Sequence, residues 1–138
     1  MIAIDTNVLL RYLLQDDETQ SPKATKLITG RQKVLITDVV LVETLWTLKG
    51  KKYNLKKPEL MAVIQQLFQD ANIVFEDSQT VWNALLNYST TAQGNNVDFA
   101  DTLILEKSKY DVDGKAEVFE GLYSFDADLQ QFSQVKKP

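Results

Sequence analysis

Short apolar runs alternate with helix-forming segments along this chain, and no other feature of the sequence restricts the fold as strongly. The apolar runs at residues 1–4, 33–37 and 73–75 predict strands, and a further strand is predicted within residues 118–125. Capping residues, Pro and Gly at the ends of the intervening segments predict helices. Strands that alternate with helices favour a parallel sheet with helices on both faces, so the expected fold class is α/β.

The spacing of apolar residues and the start and stop signals set the expected helix boundaries. The predicted helices cover residues 8–14, 21–29, 39–51, 59–70, 78–91 and 98–110. Asp5 and Asp38 are predicted to cap the helices that follow them, and Asp126 is predicted to cap a short final helix. Residues 93–96 are expected to form a loop, and residues 111–115 a turn.

The length and composition are those of one globular domain. The chain has 138 residues, of which 44% are hydrophobic and 25% charged, and a chain of this size buries about two thirds of its unfolded surface. No apolar run approaches the roughly 20 residues that a membrane span requires. The first residues lack the basic region of a signal peptide. We therefore expect a cytoplasmic protein with no membrane segment.

The chain contains no Cys and no His, which removes several kinds of chemistry. Disulfides, thiolate zinc sites, iron–sulfur clusters and cysteine nucleophiles are excluded, as are serine–histidine triads and imidazole-ligated metals. Acid, base or metal chemistry must therefore use carboxylates, Lys, Tyr or backbone groups. The net charge of 15 − 19 = −4 is unevenly distributed, with +3 on residues 1–69 and −7 on residues 70–138.

Acidic residues follow the predicted strands closely. Asp5 comes directly after the first strand, and Asp126 follows the last predicted strand. Glu43 lies within an apolar helical segment, while Asp98 and Asp101 are three residues apart and so share one helix face. In parallel α/β sheets, sites lie at the carboxyl ends of the strands. Carboxylates that converge there require raised pKa values or a bound hard cation, for which Mg²⁺ or Mn²⁺ is suited.

Each acid also has a purely structural explanation. Asp5 and Asp126 occupy positions at which an Asp caps the following helix. Glu43 can belong to the edge of a polar stripe on its helix. Asp98 and Asp101 can form a capping box at a helix N-terminus, where the helix dipole offsets their like charges. The argument for a site therefore depends on the joint placement of the acids and on no single one.

Four segments together resemble the PIN-domain nucleases, and most closely the single-domain VapC-type toxins of toxin–antitoxin systems. These segments are Asp5–Leu9 after the first strand, Glu43 in an apolar helix, Asp98–Ile104, and Ser124–Asp126. The resemblance covers nearly the whole chain in order and approximate spacing. It implies a single PIN-like domain over residues 1–138, with a three-layer α/β fold built on a short parallel sheet.

The resemblance also implies an activity and its residues. By motif position, Asp5, Glu43, Asp101 and Asp126 match the acidic quartet that holds Mg²⁺ or Mn²⁺ and supports catalysis, and Asp98 matches a supporting acid. The implied activity is metal-dependent endoribonuclease cleavage of RNA by activated water. The implied partners are RNA, a second copy of the chain in a homodimer, and a cognate antitoxin.

Three polar residues beside the acids are expected to support them. Thr6, Asn7 and Ser124 can orient a ligand carboxylate or a water molecule. Ser124 stands where the family more often has Thr, a change that keeps the hydroxyl group. Since no His is available for attack by the ribose 2′-hydroxyl, we expect products with a 5′-phosphate and a 3′-hydroxyl.

A basic segment stands out in a chain of pI about 4.8. Residues 49–57 contain five Lys and no acid. Lys49, Lys51 and Lys52, together with Arg11, are predicted to position RNA. The alternative is a solvated helix end whose lysines complement the helix dipole.

Core packing is predicted for both tryptophans, Trp46 and Trp82, in preference to base stacking, because they lie in apolar helical patterns.

Three other functions for the whole chain stay open as hypotheses. A phosphatase that forms an aspartyl-phosphate requires a second acid two residues after Asp5, where this chain has Asn7. A receiver-like signalling domain requires paired acids after the first strand. A non-catalytic binding module would use the acids only as caps.

Overall fold

The computed structural model describes residues 1–92, 94–110 and 118–138. The chain forms two compact units, Met1–Ser78 (unit 1) and Gln79–Pro138 (unit 2). The predicted turn at residues 111–115 lies outside the described residues, as does residue 93 of the predicted loop.

Unit 1 contains a parallel three-stranded sheet and the helices that connect its strands. Its elements are β1 (Ile2–Ala3), α1 (Thr6–Leu14), α2 (Gln20–Ile28), β2 (Val34–Ile36), α3 (Asp38–Lys49), α4 (Lys57–Gln69) and β3 (Ile73–Phe75). The strand order is β1-β2-β3, with β2 parallel to both of its neighbours. Ile2 is in register with Val34, and Val34 with Ile73. Each connection between neighbouring strands contains two helices.

The helices of unit 1 bury one face each. In α4, Leu60, Ile64 and Leu67 are buried at intervals of three or four residues, the spacing that places side chains on one helix face. Burying a Leu or Ile side chain contributes about 1.5–3 kcal/mol, so these stripes supply much of the stability of the unit. Within the described ranges, no helix is both long enough and apolar enough to cross a bilayer.

Unit 2 contains two helices and a small parallel sheet among its described residues. Its elements are α5 (Ser78–Ser89, which begins on the last residue of unit 1), α6 (Phe99–Ser108), β4 (Leu122–Tyr123), a 3₁₀ turn (Leu129–Gln131) and β5 (Val135–Lys136). Strand β4 pairs with β5 in parallel, with Leu122 opposite Val135. Val97, Leu105, Leu129 and Val135 form a buried cluster, against which Phe119, Leu122 and Phe132 pack.

The predicted α/β class and its short parallel sheet are confirmed, while several local expectations are wrong. Thr37 caps α3 through its side chain, and Asp38 is the first helical residue. The predicted final helix is a short 3₁₀ turn that begins three residues after Asp126, with Asp128 at its N-cap position. Strand β5 was not predicted, because two residues at 135–136 are too few to show an alternating pattern.

The prediction that the two tryptophans pack in the core is also wrong. Trp46 is 55% exposed and Trp82 is 40% exposed. In α3 the buried face carries Leu41, Leu45 and Leu48, and Trp46, one residue beyond Leu45, is rotated by about 100° from that face. Apolar residues continue around these helices beyond the buried stripe, so composition alone did not indicate which of them face solvent.

Candidate active site

Asp5 stands at the carboxyl end of β1 and caps α1. Its backbone is extended, at φ −91 and ψ 176, and its Oδ1 accepts a hydrogen bond from the backbone N–H of Val8 at 3.0 Å. The side chain is exposed. The prediction that Asp5 caps the following helix is therefore confirmed. The capping bond uses one of the two carboxylate oxygens of Asp5.

The Glu43 carboxylate is tied to the start of α1. Thr6 Oγ1 donates a hydrogen bond to Glu43 Oε2 at 2.6 Å. Thr6 follows β1 at the start of α1 and Glu43 lies on α3, which follows the neighbouring strand β2, so the bond fixes the acid at the same end of the sheet as Asp5. Glu43 is exposed, as expected for the edge of a polar stripe. Asn7 is also exposed and makes a long contact of 3.5 Å with Gln20.

Asp98 and Asp101 form the reciprocal capping box that their spacing allowed. Asp98 Oδ1 accepts a hydrogen bond from the Asp101 N–H at 3.0 Å. In return, Asp101 Oδ2 accepts one from the Asp98 N–H at 3.0 Å. Both carboxylates are therefore fixed in orientation at the first turn of α6 by the backbone itself.

The surroundings of Asp101 disfavour its charged form. Burial is the largest cause of the raised pKa of Asp101, and the negative charges of Asp98 and Asp126 raise it further. The hydrogen bond from the Asp98 backbone opposes this shift and lowers the pKa of Asp101 in part. A half-buried carboxylate with two acids around it gains more from a nearby cation than an exposed one does.

Ser124 and Asp126 form a tight turn after β4. The Asp126 N–H donates to Ser124 Oγ at 3.0 Å, and Asp126 Oδ1 accepts from the Asp128 N–H at 2.9 Å. These are short-range bonds of the kind that Ser and Asp side chains make in turns. They replace the helix cap that the sequence predicted for Asp126, and they keep this exposed acid in a defined place after the strand.

Two further contacts in unit 2 involve residues that the sequence analysis did not select. Gln130 Nε2 donates to the carbonyl oxygen of Ser124 at 2.7 Å. The backbone N–H of Asn96, two residues before Asp98, donates to Asp128 Oδ2 at 3.1 Å. The first bond lies within the segment that carries Asp126, and the second joins that segment to the residues just before α6. No sequence signal distinguishes Gln130 or Asp128 from other polar loop residues, since the contact with Asn96 spans 32 positions.

The four residues predicted to contact RNA fall into two groups. Lys49, Lys51 and Lys52 are exposed. Arg11 is half-buried, and its guanidinium group is bonded within the protein, to Asp16 at 2.8 Å and to the Tyr53 hydroxyl at 3.4 Å. The structure thus presents the three lysines to solvent and directs the Arg11 guanidinium inward.

The structure brings one pair of the predicted acids together and ties a third predicted acid to a threonine. Thr6 and Glu43 are joined in unit 1, and Asp98 and Asp101 in unit 2, where the charge of Asp126 also acts on Asp101. Among the residues that the structure describes, no group of three or more Asp or Glu side chains is arranged to hold a metal ion. In donor chemistry these acids, with their oxygen atoms alone, fit a hard cation such as Mg²⁺ or Mn²⁺.

An α/β fold whose acids follow parallel strands, in a chain without His or Cys, defines a class of proteins whose chemistry depends on carboxylates. Within that class, the family model of the PIN domain matches residues 2–134, and the chain belongs to the PIN domain family. PIN domains are in general nucleases and typically use divalent metal ions. Comparison with curated proteins and with solved structures gives no match.

Proposed function

We propose that this PIN domain is an endoribonuclease that hydrolyses RNA phosphodiester bonds with activated water and Mg²⁺ or Mn²⁺. The observation that carries the proposal is the Asp98–Asp101 pair, in which the half-buried Asp101 carboxylate accepts a hydrogen bond from the Asp98 backbone N–H and has its pKa raised by burial and by the neighbouring acids. Capping alone does not require burial of Asp101, whereas a cation-dependent site benefits from it. Asp5, Glu43, Asp101 and Asp126 are the acids that serve this reaction.

The bound metal ion would supply Lewis-acid activation of the phosphate group and of the attacking water. The protein contributes by holding its ligands in place. Thr6 restrains Glu43 by donating to Oε2, and the Asp98 backbone restrains Asp101 by donating to Oδ2. Asn7, two residues after Asp5, and Ser124, which accepts from the Asp126 N–H, are proposed as orienting groups. Because the chain has no His, water is the nucleophile, and the products carry 5′-phosphates and 3′-hydroxyls.

The test is cleavage of RNA by the purified chain with Mg²⁺ or Mn²⁺, and with EDTA. Asp101→Asn and Asp5→Asn are compared with Glu18→Gln, which also removes one exposed carboxylate but lies outside the proposed site. Wild type and Glu18→Gln are expected to cleave with metal and leave 5′-phosphates. The two Asn variants and the EDTA reaction are expected to be inactive. Cleavage that persists in EDTA or in Asp101→Asn would contradict the proposal.

The same assay separates the alternative functions. Cleavage of a small phosphomonoester in preference to RNA would favour another phosphoryl-transfer enzyme on this fold. A chain that neither cleaves RNA nor is stabilised by Mn²⁺ would be a binding module whose acids serve only as caps. Stabilisation by Mn²⁺ is measured as the rise in melting temperature that ligand binding to the folded state produces.

The biological role proposed from the resemblance is that of a cytoplasmic VapC-type toxin, active as a homodimer and inhibited by a cognate antitoxin. Expression of the wild-type chain in bacteria is expected to arrest growth, and Asp101→Asn is expected to relieve the arrest. Co-expression of the product of a neighbouring gene should relieve it as well if that gene encodes the antitoxin. Light scattering should give twice the chain mass of 15.7 kDa. Normal growth with active wild-type protein would contradict the toxin role.

A further inference from the structure

Helix α3 continues from Glu43 to an exposed aromatic and basic surface. Trp46 follows Glu43 by three residues and Lys49 follows Trp46 by three, so neighbouring members of this series lie about 60° apart around the helix. Glu43, Trp46 and Lys49 are all exposed. Along the axis, Lys49 lies about 9 Å beyond Glu43 at the usual rise per residue. An acid proposed for catalysis and a flat aromatic ring therefore share one side of α3 with a lysine.

The charge of this region is of one sign. No acid occurs between Glu43 and Glu59, whereas five lysines do. Lys49, Lys51 and Lys52 are exposed, and no carboxylate within the described part of the chain forms an ion pair with them. A concentrated positive surface on a chain with a net charge of −4 can attract a polyanion, although the molecule as a whole repels it.

The backbone after α3 is held in a defined turn. The Asn54 N–H donates to the Gly50 carbonyl at 2.7 Å, and the Leu55 N–H donates to the Leu48 carbonyl at 2.9 Å. Asn54 adopts a left-handed conformation with φ 54, which Asn tolerates better than most residues. Glu59 closes the start of α4 by accepting from the Lys56 N–H at 3.1 Å. The lysines are therefore presented from a hydrogen-bonded turn.

Tyr53 connects this turn to α1. Its hydroxyl accepts a hydrogen bond from the Arg11 guanidinium at 3.4 Å, and Asp16 pairs with the same guanidinium at 2.8 Å. The Lys52 ammonium lies 5.2 Å from the centre of the Tyr53 ring, within the range of a cation–π contact. Arg11 thus holds the turn through Tyr53, and its predicted contact with RNA stays a prediction.

We propose that Trp46, Lys49, Lys51 and Lys52, the α3 surface, bind single-stranded RNA next to Glu43. Trp46 stacks on a base and the three lysines contact phosphates, the two interactions from which single-strand binding surfaces are built. Arg11 and Tyr53 are positioning residues that hold the lysine turn. This inference rests on the proposed ribonuclease function and adds to it the surface that receives the RNA.

RNA binding is measured in EDTA with the Asp101→Asn chain, so that cleavage does not interfere. The probes are a mixed-sequence single-stranded RNA of about 15 nucleotides and a duplex of the same length. Changing Lys49, Lys51 and Lys52 to Gln is expected to weaken single-strand binding and to reduce the slope of log affinity against log salt by about 2. The control, which removes three positive charges elsewhere in unit 1, is Lys23→Gln with Lys26→Gln and Arg31→Gln. It should leave the slope nearly unchanged.

The stacking role of Trp46 has its own readout. Trp46→Ala is expected to weaken single-strand binding about 5- to 150-fold and duplex binding much less. In a Trp82→Phe chain, Trp46 is the sole tryptophan, and single-stranded RNA is expected to quench its fluorescence. Trp82, which is also exposed on another helix, provides the matched control through Trp82→Ala, which should bind RNA normally.

Three results would overturn the inference. The first is an unchanged slope of log affinity against log salt in the lysine variant, and the second is an equal loss of RNA affinity in the two sets of charge variants. The third is Trp46 fluorescence that responds to protein concentration and not to RNA. The last result would assign the surface to contact between copies of the chain. These outcomes are separate from the cleavage test. RNA binding that depends on the α3 surface, without any cleavage, would contradict the proposed ribonuclease activity and support the proposed binding surface. Cleavage of RNA by a chain whose RNA binding does not depend on the α3 surface would support the activity and contradict the surface.

Discussion

Asp98 and Asp101 illustrate how residues of a candidate site also stabilise the fold. The carboxylate of each accepts a hydrogen bond from the backbone N–H of the other. This pairing was predictable because the two residues are three positions apart at the start of a helix. The bond between Thr6 and Glu43 was not predictable, because it joins residues 37 positions apart. The capping bonds between the two Asp residues could thus be predicted from the sequence, whereas the partner of Glu43 became apparent only in the fold.

Replacing Asp101 with Asn should stabilise the protein in the absence of metal. The substitution removes a half-buried carboxylate whose charged form is disfavoured, since its pKa is raised by burial and by the charges of Asp98 and Asp126. The amide oxygen can still accept from the Asp98 backbone. Thermal unfolding in EDTA near neutral pH is expected to give a higher melting temperature than for wild type. A lower melting temperature would show that the like charges are compensated.

Removing the Thr6 hydroxyl should slow cleavage without unfolding the chain. Thr6→Val keeps the branched shape and loses the hydrogen bond to Glu43, so the cleavage rate is expected to fall about 10- to 100-fold, as for other groups that orient metal ligands. Thr6→Ser retains the hydroxyl and should restore most of the rate. Equal rates for the Val variant and wild type, measured with folded proteins, would show that Glu43 needs no such support.

Helices and strands differed in how well the sequence predicted them. Helix α4 was predictable because Leu60, Ile64 and Leu67 repeat at helical spacing and Pro58 lies at its start. The boundary of α3 shifted because Thr37 competes successfully with Asp38 for the cap. Strand β5 forms by pairing with β4, 13 positions earlier, and such pairing leaves no local pattern. Elements with a recognisable local pattern were thus recovered, and β5, which has none, was not.

The hydrogen bond between Tyr12 on α1 and Asp70 at the end of α4 should make the free energy of unfolding fall at alkaline pH. Burial and the hydrogen bond to Asp70 raise the pKa of Tyr12 above its ordinary value of 10.0. The folded state therefore holds this proton more tightly, and the stabilisation, full below pH 10, is lost as the pH rises through the folded-state pKa. Urea unfolding should show this loss, and Tyr12→Phe should reduce its slope. An unchanged slope would assign the loss to other groups, such as Tyr88, whose pKa is also raised by burial.

A buried carboxylate connects α5 and α6. Glu106 is 6% exposed and accepts hydrogen bonds from Asn87 at 2.6 Å and from Lys109 at 2.9 Å. Glu106→Ala leaves the Asn87 amide without its partner and should cost about 1–3 kcal/mol in unfolding free energy. Lys109→Ala removes a more exposed partner and should cost less. A larger loss for Lys109→Ala, measured by urea unfolding, would contradict this account of the pair.

At the scale of the whole molecule, the absence of His and Cys limited the chemistry more than any local pattern did. It left carboxylates as the only acidic ligands, and the family match over residues 2–134 agrees with that restriction. The uneven charge also has a structural counterpart, since unit 1 presents the exposed lysines and unit 2 contains the Asp98–Asp101 pair. The exposure of Trp46 could not be predicted, because it depends on which side of α3 packs inward.

The central proposal is that Asp5 and Asp101 are each required for metal-dependent cleavage of RNA. Its most direct test is calorimetric titration of Mn²⁺ into wild type, Asp5→Asn, Asp101→Asn and the control Glu18→Gln. The account predicts that wild type and the control bind Mn²⁺ alike, and that each Asn substitution alone weakens binding at least 10-fold, as expected when a ligand is lost. Mn²⁺ binding that is unchanged in both Asn variants would contradict the account.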